Sequence, residues 1–403
     1  MLFRIIYILF LISSLAFGSI RLGPVSIRQL FTVIMFICCV NETKGFWMDT
    51  CTKCLFLFSL FFGLTSLYYD YFPDFIRFLV GFYIVAWIAM WATTITIKKK
   101  NVMDCVNTLV CVGVIDSLIT ILQCLGNKSA LAIGVIFSPL EAESLMDSLV
   151  QGEIYNHSIM GIFGATSNGY FLMVATILSL TYIVKGNNCF KYFPFVICVI
   201  ASFMCQQRGP FYINLLFILY FLYKYLQDVT PIKKMALFIA IIIFCAYSML
   251  LFMDFSEQNN MRYSSLAFDG TGREGVYRYC REYLKNNLLF ANLFEFRRLY
   301  HYSPHNLFYN MLIYGGLFGF FPICVALWIQ VKTSLRAVWK SSVRTDIVKF
   351  VMAGALLAFT ANSLIHNASI ITGDVLLWVL WGTVRGLNTQ QYQSEKVPLA
   401  SVK

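Results

Sequence analysis

The stretch "SPHNLFYNMLIYGGLFG" runs from Ser303 to Gly319. It opens like a helix start and continues as an apolar run to about residue 330. In lipid every backbone N–H and C=O must be satisfied within the segment, so a long apolar run is a membrane-crossing helix rather than a strand. A histidine and an asparagine stand at its head, and three glycines lie two to three turns below.

The rest of the chain has the same character. Of 403 residues, 59% are hydrophobic and only 13% are charged, and the mean hydropathy is +0.70, which no soluble core of this length accommodates. Apolar runs predict about twelve spans: 3–19, 27–40, 54–69, 75–97, 103–125, 161–184, 191–207, 209–227, 235–253, 305–330, 347–367 and 370–384. The first carries Arg4 but is followed by no small-x-small cleavage site, so it reads as a span rather than a removed signal. The expected fold is therefore all-α, a single integral membrane domain over 1–403 with two sizeable outer loops at about 126–160 and 254–304.

The net charge of +11 is a signal of orientation, not of nucleic-acid binding. With the N-terminus inside, the inner face receives Arg4, Lys44, Lys53, Lys98, Lys99, Lys100, Lys185, Lys233, Lys234, Arg344, Lys349 and Arg385 among others. The short outer loops keep only Arg21, Arg28, Arg77, Lys128 and Arg208. Such a bias puts both termini in the cytoplasm. Most of the 13 cysteines fall inside spans, where Cys behaves as a small apolar residue. "CTKC" at Cys51 and Cys54 has redox or zinc spacing but is a lone pair at a span's edge.

The second outer loop breaks the charge rule, as long loops do. Its "GREGVYRYCREYLKNNLLF" stretch predicts an amphipathic helix, with Arg278 and Arg281 on one side and Arg273 obliquely nearby. Two readings compete there. The loop's Asp and Glu residues pair its arginines, or a guanidinium cluster at the membrane surface binds a diphosphate or phospholipid headgroup. Arg208, in "MCQQRGPFY", stands between two spans with almost no loop. It either snorkels to headgroups or marks a functional site in a tight polar turn.

In the opening stretch Ser303 suits an N-cap and Pro304 a first helical residue, which places His305 and Asn306 in the first turn. Free N–H groups at a helix start favour an anion, and their field favours the neutral, proton-accepting form of an imidazole. His305, Tyr309, Leu312, Gly316 and Gly319 follow one another at spacings of four, three, four and three, so the glycines lie below the histidine. Gly315 and Gly319 also form a GxxxG, which serves either helix packing or a groove for a lipid chain. His301 stands four residues before His305, but a metal pair at that spacing needs an unbroken helix, so no metal is expected. His157 and His366, near span ends, read as bystanders or structural hydrogen-bonding residues.

On these residues the chain resembles the O-antigen polymerase and O-antigen ligase superfamily of bacterial polysaccharide assembly. The family's outer-face motif corresponds to His305, Asn306, nine residues, Gly316, two residues and Gly319. "TSNGYFL" (Thr166 to Leu172) is similar to the family's Asn-containing start of a span, and "QQRGP" and "TGREG" to its two functional arginines, at Arg208 and Arg273. The resemblance covers roughly residues 155–330. One departure is Tyr212, where ligases commonly carry Leu four residues after the earlier arginine. The resemblance implies a metal-independent, cofactor-free inverting glycosyltransferase of the bacterial inner membrane with a large periplasmic loop. The donor it implies is a glycan on undecaprenyl diphosphate, bound beside membrane lipid and other polysaccharide-assembly proteins. It assigns His305 and Asn306 to the acceptor and Arg208 and Arg273, with Arg278 and Arg281, to the diphosphate. Gly315, Gly316 and Gly319 would form the lipid groove. A polymerase fits Tyr212 better than a ligase, and a flippase would need charges inside several spans.

Overall fold

The computed structural model describes residues 1–17, 20–22, 25–137, 159–164, 167–227, 239, 271–366 and 369–396. These are almost wholly helical. In chain order the helices are α1 (Leu2–Leu15), α2 (Ile27–Thr43), α3 (Thr50–Tyr68), α4 (Phe72–Lys98), α5 (Val102–Cys124), α6 (Lys128–Phe137), α7 (Asn168–Lys185), α8 (Phe193–Met204) and α9 (Arg208–Tyr225). After them come α10 (Thr271–Asn287), α11 (Leu293–Tyr300), α12 (Leu307–Lys340), α13 (Ile347–Ser363) and α14 (Val375–Lys396). A two-residue antiparallel ribbon, Arg21–Leu22 with Val25–Ser26, leads into α2. Five helices are long and apolar enough to cross a membrane: α3, α4, α5, α7 and α12. The other expected spans within the described residues fall on helices that are shorter or less apolar, so five of the expected crossings are supported among the described residues. Most of the expected span 235–253, most of the loop 126–160, residues 254–270 of the second loop and His157 lie outside the described residues.

By its contacts the chain divides into two compact units. One comprises Met1–Thr108, Asp269–Lys340 and Met352–Lys403; the other comprises Leu109–Phe268 and Ser341–Val351.

In the first unit α12 packs along α3 and α14 along α4. Small residues let these backbones close up: a Cβ on Gly382 would stand 2.8 Å from the Met90 carbonyl oxygen. The centre is aromatic. The Phe62 ring lies 5.3 Å from Tyr314, 5.4 Å from Phe75 and 5.4 Å from Phe294. The α4 helix carries a π-turn at Leu79–Tyr83. At the end where α3 starts, ion pairs hold the helices: Arg385 to Asp49 at 2.5 Å, Arg4 to Asp104 at 2.5 Å and Lys99 to Glu42 at 2.6 Å. Asp49 also caps α3 through the Thr52 amide and accepts from the Trp381 indole N–H at 2.8 Å. Cys51 turns its buried thiol to the Ala326 carbonyl, 3.6 Å away.

The second unit centres on α7, buried from Asn168 to Thr181 against α8 and α9. On α5, Asp116, Thr120 and Gln123 lie at spacings of four and three, on one face. Asp116 accepts from the Ile162 amide at 2.8 Å and Gln123 from the Gly161 amide at 2.9 Å. Gly161, at φ +54°, leaves no room for a Cβ against the Asp116 carboxylate.

The α12 helix is broken at Gly316, whose φ of 62° and ψ of −167° fall in a region open essentially to glycine alone. The freed Leu317 amide donates to the Leu288 carbonyl at 2.9 Å, and a Cβ on Gly316 would collide with the Leu289 carbonyl oxygen. Gly315 and Gly319 instead face the Phe58 ring of α3, where a Cβ would stand 3.2 and 3.1 Å from a side chain that need give only a few tenths of an ångström, not from fixed backbone. We therefore expect Gly316→Ala to destabilise the protein by about 3 kcal/mol or more, and Gly315→Ala and Gly319→Ala by clearly less. Thermal unfolding of detergent-purified variants checks the order; equal shifts for all three would contradict the backbone argument.

Candidate functional site

The α3 helix starts at the ion-paired end, and at its opposite end α10 and α11 pack within the first unit. Two asparagines do most of this. Asn292 is fully buried: its Nδ2 donates to Thr65 at 3.1 Å and Ser66 at 2.8 Å, and its Oδ1 caps α11 by accepting from the Phe294 amide at 2.9 Å. Its backbone closes a reciprocal pair with the Tyr283 hydroxyl, at 3.0 and 3.1 Å. Asn287 accepts from the Tyr69 hydroxyl at 3.0 Å. Glu295 accepts from the Tyr71 hydroxyl at 3.1 Å and pairs with Arg298 at 2.7 Å. This carboxylate, by hydrogen bond and charge, raises the pKa of the exposed Arg298 guanidinium.

The amphipathic helix expected in the loop is α10. Its buried face carries Val276, Cys280, Tyr283 and Leu284; Arg278, Arg281 and Lys285 are exposed on the other. Burial pushes the Cys280 thiol up to about 12, which keeps it protonated and unreactive. Neither Arg278 nor Arg281 enters an ion pair among the described residues; the Arg278 guanidinium lies 5.6 Å from the Tyr279 ring centroid. Arg273 falls in the first turn of α10.

The head of α12 differs from the expected one. Ser303 and Pro304 precede the helix, which begins at Leu307. Asn306 is the cap: its Oδ1 accepts from the Phe308 amide at 2.9 Å and the Tyr309 amide at 3.3 Å, while its Nδ2 donates to the Leu364 carbonyl at 3.0 Å. The reason is that Ser303 has another role, accepting from the Arg297 guanidinium at 3.1 Å, while Pro304 is buried. His305 therefore stands just outside the helix, half-buried, with its carbonyl accepting from the Tyr277 hydroxyl at 3.3 Å. The Tyr277 ring also lies 5.5 Å from Tyr309, so one tyrosine fastens α10 to the head of α12. His301 ends α11 at φ +57°, and no continuous helix joins it to His305.

The glycines expected to line a lipid groove pack against protein atoms. Gly315 and Gly319 are closed by Phe58 and Gly316 by the Leu289 carbonyl, so protein fills the space beneath His305. Within the first unit the structure thus brings His305, Asn306, Arg278 and Arg281 into one assembly of α10, α11 and the α12 head, with Arg273 on the same α10 helix. Arg208 belongs to the second unit. It is half-buried at the first position of α9, after a tight turn in which Gln206 takes φ +60°. In that unit Asn168 is buried at the start of α7 and donates to Thr120 and to the Ile159 carbonyl, each at 3.0 Å.

Sequence reasoning passed over Asn292, Asn287 and Asp116. Asn292 was legible as the start of "NLFE", a cap followed three residues later by an acid. Asp116, inside an apolar span, was legible as a costly intramembrane charge.

The fold defines an all-helical protein with several helices suited to a membrane. No protein-family model matches the sequence, and no curated protein matches it.

Asn306 joins the start of α12 to the turn after α13. Asn306→Ala should lower stability by about 1–2 kcal/mol. Asn306→Asp should keep the cap but lose the donor to Leu364. Hydrogen exchange reads the difference: faster exchange at the Phe308 and Tyr309 amides in the Ala variant, and near-normal exchange there in the Asp variant. Unchanged exchange in both would contradict the cap.

Proposed function

We propose that the protein is a polysaccharide polymerase on the outer face of a bacterial cytoplasmic membrane, joining oligosaccharide units carried on undecaprenyl diphosphate. The observation that carries the reading is the placement of the His305–Asn306 pair at the head of α12, tied through Tyr277 to a helix whose Arg278 and Arg281 are exposed without ion pairs among the described residues. Both parts suit the chemistry. An acceptor hydroxyl attacks the anomeric carbon of the donor, and its proton goes to the His305 imidazole. The bond from that carbon to the phosphate oxygen breaks, and the lipid diphosphate leaves with the bonding electrons. Guanidinium groups stabilise the charge that develops on it.

Asn306 acts by holding the helix head, which positions its neighbour. Arg273, on the same helix as Arg278 and Arg281, is proposed as a further diphosphate ligand; for Arg208, in the second unit, that role rests on the resemblance alone. The prenyl chain would run along a surface other than the filled glycine face. A ligase, which passes the finished glycan to lipopolysaccharide core, uses the same chemistry with another acceptor; Tyr212 in place of Leu favours the polymerase.

Deletion of the gene should leave single repeat units on core or carrier with no ladder of longer chains. Long chains stranded on the lipid carrier with bare core would identify a ligase instead. His305→Ala should lower glycan transfer by at least about 100-fold at unchanged protein level in the membrane. A normal ladder from that variant would remove His305 from the chemistry.

A further inference from the structure

Beside the head of α12, three tyrosines form a strip that the steps above do not use. The Tyr279 ring stacks on Tyr300, with centroids 5.0 Å apart and planes 27° from parallel, and on Tyr302, at 5.7 Å and 16°. The strip is anchored from beneath. Tyr300 packs on Phe296 at 5.2 Å and edge-on to Tyr283 at 6.4 Å, and both of those side chains are buried. Its outer member is open, since Tyr302 keeps 50% of its surface exposed. The Arg278 guanidinium lies over Tyr279.

Packing alone does not explain the choice of residue. Leucines would glue α10 to α11 as well, and buried phenols find hydrogen-bond partners. Tyr283 does so, whereas the hydroxyls of Tyr279, Tyr300 and Tyr302 have none among the described residues. The strip therefore offers the open ring of Tyr302 at its outer end, phenol hydroxyls without a partner among the described residues and the Arg278 guanidinium beside Tyr279. An aromatic face carries negative charge density and attracts the weakly positive C–H edge of a ring. A pyranose has such an edge, and its hydroxyls meet the phenols and the guanidinium.

We propose that Tyr279, Tyr300 and Tyr302 form a sugar-stacking subsite, with Arg278 binding an oxygen of the stacked sugar. The choice of a sugar over a lipid headgroup rests on the glycan-transfer reading. The subsite would hold a ring of the growing chain while its end reaches His305.

The test uses the full-length protein in lipid nanodiscs and saturation-transfer NMR with methyl glycosides of a neutral hexose, an N-acetylhexosamine and a hexuronate. We expect transfer to the ring C–H protons of at least one glycoside. Tyr302→Ala should weaken its binding about fivefold, equivalent to about 1 kcal/mol at 1.4 kcal/mol per tenfold, while Tyr302→Phe retains it. Tyr302 is half-exposed, so neither variant disturbs the core. No transfer to any glycoside, or equal transfer in the Ala variant, would overturn the subsite. Because this readout needs no turnover, glycoside binding by a protein that makes no glycan would overturn the polymerase reading alone.

Discussion

The break at Gly316 is the constraint on which the functional end depends. A helix broken at membrane depth leaves backbone groups that lipid cannot satisfy. Here the Leu288 carbonyl takes the Leu317 amide, so the segment after α10 is a structural part of α12 rather than a loop beside it. That one hydrogen bond fixes where α10 ends, and Tyr277 fixes how its other half meets His305. Glycine at 316 follows from both the φ value and the Leu289 carbonyl, so a catalytic account of this residue is unnecessary.

The two ends of the first unit are held by different chemistry. At the α3 start, carboxylates take up cations: buried Asp49 with Arg385, buried Asp104 with Arg4 and exposed Glu42 with Lys99. At the other end amides and phenols do the joining, through Asn287, Asn292, Asn306, Tyr69, Tyr71 and Tyr277. An amide donates and accepts at once without the desolvation penalty of an ion, so it can pin a segment from within a buried site. Asn292 does this with every polar group it has.

Much of the architecture was legible because it depends on hydropathy. The runs that became α3, α4, α5, α7 and α12 are long, and the face of α10 is written in the spacing of Val276, Cys280, Tyr283 and Leu284. The helix head was misread because Ser303 and Pro304 satisfy the local rules for a start, and only tertiary partners decide against them. Ser303 goes to Arg297, and Asn306 wins the cap because its second group reaches Leu364. The glycine face was ambiguous for the same reason: spacing shows that a surface is small, not whether Phe58 or a lipid will fill it.

This division of labour explains why exposed positive charge collects on α10. Where amides and phenols carry the joining, few carboxylates are needed; Glu295 serves Tyr71 and Arg298 and is spent there. Arg278, Arg281 and Lys285 then stand on one face with only Glu274 and Glu282 close in sequence. A guanidinium paired in the folded state must break that pair before it binds a ligand, whereas an exposed one loses only water. Stabilising this end through neutral polar groups therefore leaves its cations available to an anionic ligand at the same surface. At the ion-paired end Arg4, Lys99 and Arg385 are engaged by carboxylates, so these three would have to break a pair before binding an anion.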